Sequence, residues 1–524
     1  MPIENYSVVQ PSTQQKTFSE NNICRFSLPF TSIPFFDPHE SYLQVIANAT
    51  GDAKLELNGN SSVIIKYIRL SCNGQVLEEI DEFNQLANLY NIYGNDDSSR
   101  SQESVFTLDS KEVFTTGLMG NQSTSVANGQ KKVKLIIPMK ECGMFSSLEI
   151  VPLMAFGNNL DVEIRFAPNN EVLKSYNRDG LSVISPDHTT KIGIANALTN
   201  GTPVGTFSLR LPYKGFTCLG DLPLQVGDYI KLQKEAGGNI AGIGGGDLQI
   251  TAIARTATTA LTDNPNQITI TIANVTPTED MAVNTVIAEI TKTTANATAI
   301  VSTLTYTNVE WYLQKVVPPV QYVNSLKSQL NSANGFQYDI HTWTTYKASL
   351  LQAVQSQTIE IPAYQSRAKS VLIVPRLANQ NPTLNIINGA GLDGANLYNF
   401  NGLYSNLKDY QWQVNNGLRV PTRPVNLDVM AGSFKHLSAE HLIQLTQALG
   451  ASNVGVRNLK DTHNNFILGR QLSKYGGTSR LTSAMRVYLN WQSGTDPVQK
   501  IQPITFINHI NRVSINSQGL QVFN

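Results

Sequence analysis

The sequence predicts an all-β protein made of two consecutive β-sandwiches, with a smaller β-module inserted in the first. Three observations support this prediction. Apolar and polar residues alternate with a period of two in many short segments, helical spacing is confined to a few short segments, and the composition changes sharply over 217–304. Long sheets with few connecting helices indicate sandwiches rather than a βαβ fold.

The clearest predicted strand is Leu160–Phe166, in which four apolar residues lie on one face and three charged residues on the other. The same alternation occurs in Val309–Leu313, Ile359–Ile361 and Arg486–Trp491. The four tryptophans fall within or beside such patterns, so we interpret them as core anchors rather than as base-stacking platforms. They are Trp311, Trp343, Trp412 and Trp491.

The predicted domains are an N-terminal arm over 1–22, a first sandwich over 23–318, a linking helix over 319–334 and a second sandwich over 335–524. The arm is polar, and we expect it to be disordered or to lie across a neighbouring subunit. The linking helix follows two prolines and presents Val323, Leu326 and Leu330 on one face. We expect it to join two independent sandwiches.

Two other helices are predicted. The apolar spacing from Ile80 to Tyr90 predicts a helix near 79–93. Another begins after Ser438, which is suited to be its N-cap, and ends at Gly450.

The predicted insert covers about 217–304. Tyr229 is its one aromatic residue, while β-branched residues and glycine turns persist. Such a segment can form strands around a small core only. We therefore expect a compact β-module in a loop at the outward end of the first sandwich, where it can contact neighbours or the host surface.

Charge is scarce and unevenly distributed. Of the 524 residues only 15% are charged, which suits surfaces covered by neighbours, because neutral polar groups cost less to desolvate than charges. The net charge is zero, with 39 basic and 39 acidic residues, which argues against bulk nucleic-acid binding. Residues 315–524 hold 18 basic and 8 acidic residues (+10), which leaves 21 and 31 (−10) for 1–314. This split indicates subunit complementarity, chance, or a positive lumen-facing surface on the second sandwich.

The sequence predicts reduced cysteines and an intracellular fold. Cys24, Cys72, Cys142 and Cys218 stand far apart, which supports neither a zinc site nor a disulfide scaffold. The polar N-terminus lacks the apolar segment of a signal peptide, and no stretch of 18 apolar residues predicts a membrane span.

Patterns that would carry catalysis are weak, and we predict no catalytic, cofactor or metal residues and no enzyme activity. His436 and His441 are five apart, so they do not share a helix face, and a core or solvated role is expected. The glycines at 242, 244 and 246 precede a strand pattern instead of the helix that a phosphate loop requires. Asp96 and Asp97 fit a polar loop.

Two segments carry a family resemblance. Phe145–Phe166 and Asn308–Val323 resemble, respectively, the region before the long insertion and the last strand with the linking helix in double jelly-roll major capsid proteins. The blocks Thr342–Tyr346, Gln357–Pro362 and Ala368–Val374 resemble the opening strands of their second jelly roll. The likeness is closest to the capsid proteins of Polinton-like viruses and virophages.

The resemblance implies two eight-stranded jelly-roll sandwiches and a structural role without cofactors. Three copies would form a pseudo-hexameric homotrimer that tiles an icosahedral shell around a double-stranded DNA genome. The implied partners are neighbouring capsomers, penton and minor capsid proteins, and packaged DNA through weak contact. The chain would be located in the virion after assembly inside the host cell.

Two alternatives remain open from the sequence. One is a carbohydrate-binding or adhesin-like surface protein, which the Thr- and Asn-rich insert would fit. The other is a jelly-roll glycosidase, which needs two facing carboxylates. The assembly state of the purified protein discriminates among these three functions.

Overall fold

The structure is a computed structural model. It describes residues 3–13, 15–50, 60–90, 131–139, 143–172, 182–184, 192–194, 197–211, 229–233, 248–256, 267–277, 280, 286–287, 289–292, 303–332, 335–351, 354–377, 407–427, 429–431, 434–436, 439–450, 466–473, 477–491, 501–516 and 519–523.

The chain first forms eight strands of one sandwich. They are β1 (Ile3–Val9), β2 (Thr17–Phe18), β3 (Ile23–Leu28), β4 (Phe36–Thr50), β5 (Ile65–Cys72), β6 (Gln75–Asp81), β7 (Lys131–Pro138) and β8 (Leu160–Phe166).

The inserted module follows. Its strands are β9 (Ser182–Ile184), β10 (Ile192–Ile194), β11 (Val204–Leu211), β12 (Tyr229–Gln233), β13 (Leu248–Thr256), β14 (Gln267–Val275), β15 (Val286–Ile287) and β16 (Glu289–Lys292). They form one sheet in the order β15-β10-β11-β14-β13-β12-β16-β9. The lower bound predicted for the insert, 217, was wrong, because three strands of this sheet precede that residue. The composition misled the prediction: β11 contains Phe207, yet it pairs along its whole length with β14.

The strand β17 (Thr303–Val316) returns to the first sandwich and completes it. The two sheets have the orders β1-β17-β4-β7 and β3-β8-β5-β6, and β2 adds to β17. If the eight long strands are lettered B to I along the chain, these orders read B-I-D-G and C-H-E-F, which is the jelly-roll topology. We call them the BIDG and CHEF sheets. The insert therefore lies between strands H and I.

The second sandwich has the same topology. Its strands are β18 (Phe336–Lys347), β19 (Ser356–Ile361), β20 (Ala368–Leu377), β21 (Leu407–Gln413), β22 (Arg419–Asn426), β23 (Val429–Ala431), β24 (Phe434–His436), β25 (Leu468–Gln471), β26 (Met485–Trp491), β27 (Ile501–Asn516) and β28 (Gly519–Phe523). Its BIDG sheet is β18-β27-β20-β25 and its CHEF sheet is β19-β26-β21-β22. The predicted fold class of two consecutive eight-stranded jelly rolls is thus confirmed.

Period-two alternation places the cores. Along β8 the residues Leu160, Val162, Ile164 and Phe166 are buried, and along β26 every second residue from Met485 to Trp491 is buried. Since each strand shows its apolar face to the space between two sheets, alternation in the sequence becomes a closed core. All four tryptophans are buried.

The helices are short. They are α1 (Phe83–Leu89), α2 (Gly143–Ser147), α3 (Leu153–Phe156), α4 (Asn169–Val172), α5 (Val320–Leu330) and α6 (Ala439–Leu449), with a 3-10 turn at Ser61–Ile64. The helix predicted near 79–93 begins later, because Ile80 belongs to β6 and Glu82 takes a left-handed conformation with φ of 55° between strand and helix. Every sheet that the structure describes contains strands from one side of α5 only.

The N-terminal arm predicted over 1–22 was wrong for Ile3–Val9, which pairs with β17 of the same chain. The polar pattern misled the prediction because β1 is an edge strand: Tyr6 and Val8 stay exposed while Val9 is buried. None of the helices within the described ranges has the length and apolar character needed to cross a membrane.

Cys24 and Cys72 are free and buried, as predicted. Burial raises the pKa of Cys24 to about 12 and, together with the charge of Asp161, that of Cys72 to about 11. Cys142 and Cys218 lie outside the described residues.

Candidate functional site

The junction between the sandwiches joins strand B of the second, β18, to the F-strand side of the first. The His341 backbone N–H donates to Ser147 Oγ at 3.0 Å, and Thr345 Oγ1 donates to the Asp81 backbone oxygen at 2.8 Å. At Gly143, a Cβ atom would collide with the His341 carbonyl. The backbones of α2 and β18 therefore approach as closely as glycine permits.

A cluster of ionised side chains lies at the same junction. Glu82 belongs to the first sandwich and is 2% exposed. Its carboxylate lies 2.6 Å from Lys66 Nζ, 2.8 Å from Lys347 Nζ and 3.6 Å from Arg376 Nη1. Lys347 and Arg376 belong to the second sandwich, so one buried carboxylate holds cations from both.

Burial alone would raise the pKa of Glu82, but the charges of Arg376, Lys66 and Lys347 outweigh it and lower the pKa to about 2. A buried charge is stable only when it is paired and hydrogen-bonded. The ion pairs from Glu82 to Lys347 and Arg376 therefore stabilise the docking of the two sandwiches at neutral pH.

The outer face of the second BIDG sheet is covered. Across strands B, I and D, Thr345 pairs with Phe506, and Phe506 pairs with Leu372. Phe506 and Leu372 are fully buried in one cluster that also contains residues of α6 and of the first sandwich. Gly469 provides room for α6, since a Cβ there would lie 2.8 Å from Leu445 Cδ1.

The outer face of the first BIDG sheet is open to solvent by comparison. The matching row is Val8, Tyr312 and Tyr42. The rings of Tyr42 and Tyr312 stack with centroids 5.1 Å apart, and Tyr6 meets Tyr42 edge-on at 5.7 Å. Tyr6 is 45% and Val8 47% exposed. An aromatic row at the surface of a sheet edge marks a candidate protein–protein contact.

The opposite margin of the molecule is the F strand of the second sandwich, β22, which ends its CHEF sheet. Arg419 and Arg423 are exposed on it, and Leu418 just before it is 90% exposed. The Arg419 guanidinium lies 3.8 Å from the centroid of the Tyr488 ring. This margin combines an apolar side chain with cations.

Of the two histidines considered in the sequence, His441 lies in the core of the second sandwich. His441 is fully buried, stacks on Phe466 at 5.1 Å between centroids, and its Nδ1 lies 3.0 Å from Tyr410 Oη. Burial lowers its pKa to about 3, so it is neutral at pH 7. His436 ends β24. Of the core and solvated roles that were predicted, His441 therefore has the core role.

Other predicted residues fall outside the described part of the chain: Asp96, Asp97, Gly242, Gly244, Gly246 and Ser438. Within the described part, no group of three His, Cys, Asp or Glu residues is placed to hold a metal ion.

The sequence reasoning missed the Glu82 cluster and the surface row of Tyr6, Tyr42 and Tyr312. Glu82 lies within the helix predicted near 79–93, and nothing in that pattern indicates its ion pairs with distant residues. Tyr312 carried a signal, because it lies between the buried Trp311 and Leu313 on the opposite face of an alternating strand, whereas Tyr6 lies in a strand without such a pattern.

Comparison with known proteins finds no matching family model and no matching curated protein. Solved structures do match. One is PBCV-1 VP54 fitted into a cryo-EM reconstruction of the virophage Sputnik, at 8% identity over 100% of this chain and 96% of that chain, with a TM-score of 0.47. The Faustovirus major capsid protein matches at 10% identity over 98% and 90%, with a TM-score of 0.46. The mavirus major capsid protein matches at 9% identity over 99% and 90%, with a TM-score of 0.38. Since these TM-scores are below 0.5, the assignment of a double jelly-roll fold rests on the strand order and register of the chain itself.

Proposed function

We propose that this protein is a major capsid protein whose homotrimers, pseudo-hexameric in outline, tile an icosahedral shell around a double-stranded DNA genome. The observation that carries the proposal is the duplication: two sandwiches of identical topology are locked side by side through a buried junction. Three such chains supply six equivalent walls, which is the outline needed to tile a hexagonal lattice.

The residue blocks that resemble double jelly-roll capsid proteins support the same function. They fall on strands β8, β17, β18, β19 and β20, in the order the resemblance implies. A closed sandwich suits a shell wall because its sheets hide most of their edges, while loops at one end can vary.

In this proposal the insert between strands H and I lies on the outside of the shell, and the opposite end of each sandwich faces the genome. At that opposite end of the second sandwich, Asp339 holds two guanidinium groups, with Arg367 Nη2 at 2.8 Å and Arg512 Nε at 3.0 Å. The excess of cations supports weak contact with packaged DNA, which salt would weaken. The remaining proposed partners are neighbouring capsomers, penton and minor capsid proteins, in virions assembled inside the host cell.

Electron microscopy of the purified full-length protein tests this function. We expect single particles with threefold symmetry and six wall densities, and closed shells when the minor capsid proteins are co-expressed. Particles of single chains without threefold symmetry would contradict the proposal. Binding to a glycan surface without self-association would favour the carbohydrate-binding alternative.

A further inference from the structure

The BIDG sheet of the second sandwich holds one acid. Asp339 is the only aspartate or glutamate in strands β18, β20, β25, β27 and β28. The same strands carry five cations, namely Lys347, Lys369, Arg376, Arg470 and Arg512. Lys347 and Arg376 have carboxylate partners in the first sandwich. The other cations exceed the negative charge that the sheet itself provides.

The carboxylate of Asp339 is already shared by two arginines. It accepts hydrogen bonds from Arg367 Nη1 at 2.9 Å and Nη2 at 2.8 Å, and from Arg512 Nε at 3.0 Å and Nη2 at 3.4 Å. A guanidinium group carries more N–H donors than two hydrogen bonds use, so each arginine keeps donors for a further ligand. The side chains of Arg367 and Arg512 are 28% and 49% exposed, so a solute can reach both.

Lys369 lies beside this pair and has no carboxylate partner within the described part of the chain. Its one hydrogen bond there joins Nζ to His341 Nδ1 at 3.0 Å. Burial and the charge of Arg367 lower the pKa of Lys369, and the charge of Asp339 opposes them. Burial and the charge of Lys369 likewise lower the pKa of His341, so this imidazole is neutral at pH 7. A partly buried ammonium group held by a neutral ring is poorly compensated.

The free polar groups of this cluster are hydrogen-bond donors. An ammonium group only donates, so His341 Nδ1 accepts from Lys369 and the neutral ring carries its proton on Nε2. The spare N–H groups of Lys369, Arg367 and Arg512 are donors as well, while both Asp339 oxygens are engaged. Charged donors without a free acceptor suit an oxyanion. A phosphate group suits them best, because its several oxygens accept hydrogen bonds from different directions.

We propose that His341, Arg367, Lys369 and Arg512 form a binding site for a phosphate group at the end of the second sandwich opposite the insert. The bound group supplies the negative charge that Asp339 alone does not provide. Inorganic phosphate and the phosphodiester backbone of packaged DNA share this chemistry. The second source rests on the proposed function, whereas the site itself rests on the geometry of the cluster.

Calorimetric titration of the full-length chain with inorganic phosphate tests the site, at an ionic strength held constant with chloride. We expect one saturable site per chain. Lys369→Gln removes the ammonium group and should weaken phosphate binding by about tenfold or more, since hydrogen bonds to charged groups are the strong ones. Lys369→Arg keeps the cation and should retain binding. Arg512→Gln provides a second test at a more exposed position and should also weaken binding.

A matched control removes the same charge from the other sheet of the same sandwich. Lys408 is exposed on β21 of the CHEF sheet. Lys408→Gln should leave phosphate binding unchanged, which separates a local site from an effect of net charge. Circular dichroism and a thermal midpoint close to that of the native chain show that each variant is folded.

Fluorescence anisotropy with a labelled DNA duplex distinguishes the two sources of phosphate. If the site binds the DNA backbone, Lys369→Gln should reduce the slope of log affinity against log salt by about one, relative to Lys408→Gln. An unchanged slope, with phosphate binding intact in the native chain, assigns the site to inorganic phosphate.

The inference is overturned if the native chain shows no saturable phosphate binding, or if Lys369→Gln and Arg512→Gln bind phosphate as the native chain does. Neither result bears on the proposed function, which fails instead if the purified chain forms no particles with threefold symmetry.

Discussion

The same row of three residues has opposite surroundings in the two sandwiches. In the second, whose row crosses strands B, I and D, Phe506 and Leu372 are fully buried beneath α6 and the first sandwich, and Thr345 at the end of the row is half-buried and donates to the Asp81 backbone oxygen. In the first, Val8, Tyr312 and Tyr42 cross the same strands and remain partly exposed. Identical strand order therefore does not decide which sheet face is buried. What decides it is the element laid over the sheet, and for the first sandwich we infer that element to be another copy.

The largest loss of unfolding free energy should come from truncating Phe506, in the middle of the buried row of the second sandwich. Phe506→Ala removes a fully buried ring and leaves a cavity, which costs about 3–5 kcal/mol of unfolding free energy. Denaturant unfolding of the full-length chain measures it. A loss of only about 0.5 kcal/mol, as is usual for substituting an exposed side chain, would show that this sheet face is not packed.

The Glu82→Gln substitution tests the junction that covers the second face. It removes the carboxylate that Lys66, Lys347 and Arg376 share. Lys66 keeps Glu171 at 2.7 Å and Lys347 keeps Asp81 at 2.8 Å, so the expected loss is about 1.5–3 kcal/mol of unfolding free energy, measured by denaturant unfolding.

The pH dependence of unfolding isolates the same carboxylate. Folding lowers the pKa of Glu82 from 4.5 to about 2, so its contribution is complete above pH 4.5 and is lost as the pH falls towards 2. The contribution is on the order of 3 kcal/mol. The native chain should lose stability over this window more steeply than Glu82→Gln. Parallel pH profiles would contradict the assigned ion pairs.

A smaller effect is expected at Gly335, where strand B of the second sandwich begins. Its φ is 64°, and a Cβ would collide with the Ile515 carbonyl oxygen. Gly335→Ala should destabilise the chain by about 1–3 kcal/mol because the residue must strain or shift the strand. A thermal midpoint equal to that of the native chain would show that this left-handed turn is dispensable.

The smallest loss of unfolding free energy should come from truncating Tyr312, in the partly exposed row of the first sandwich. Tyr312→Ala removes a stacking contact with Tyr42, worth about 0.5–1.5 kcal/mol. Denaturant unfolding measures this local loss. In light scattering at micromolar concentration the same substitution should weaken the proposed homotrimer, and an unchanged trimer would show that this row is not part of its contact.

The sequence allowed prediction of features that depend on neighbours along a strand. Alternation in Leu160–Phe166 and in Arg486–Trp491 located strands and core faces, since a side chain's face follows from its place in the strand. Tryptophans within such patterns proved to be buried. The jelly-roll topology came from the family resemblance, because strand pairing over hundreds of residues has no local signature.

Features that depend on distant segments were not predictable in this way. β1 was mistaken for an arm because an edge strand with an exposed face has little apolar pattern, and its partner β17 lies some 300 residues away. The Glu82 cluster combines side chains from β5, β18 and β20, which no spacing in the sequence connects. The surface tyrosines became significant only once the equivalent face of the second sandwich was found to be covered.

Sedimentation of the full-length chain at micromolar concentration tests the central claim most directly. If the open face of the first sandwich is completed by further copies in a closed ring, one species with the mass of three chains should sediment, without intermediate masses. A single-chain species at the same concentration would contradict the account.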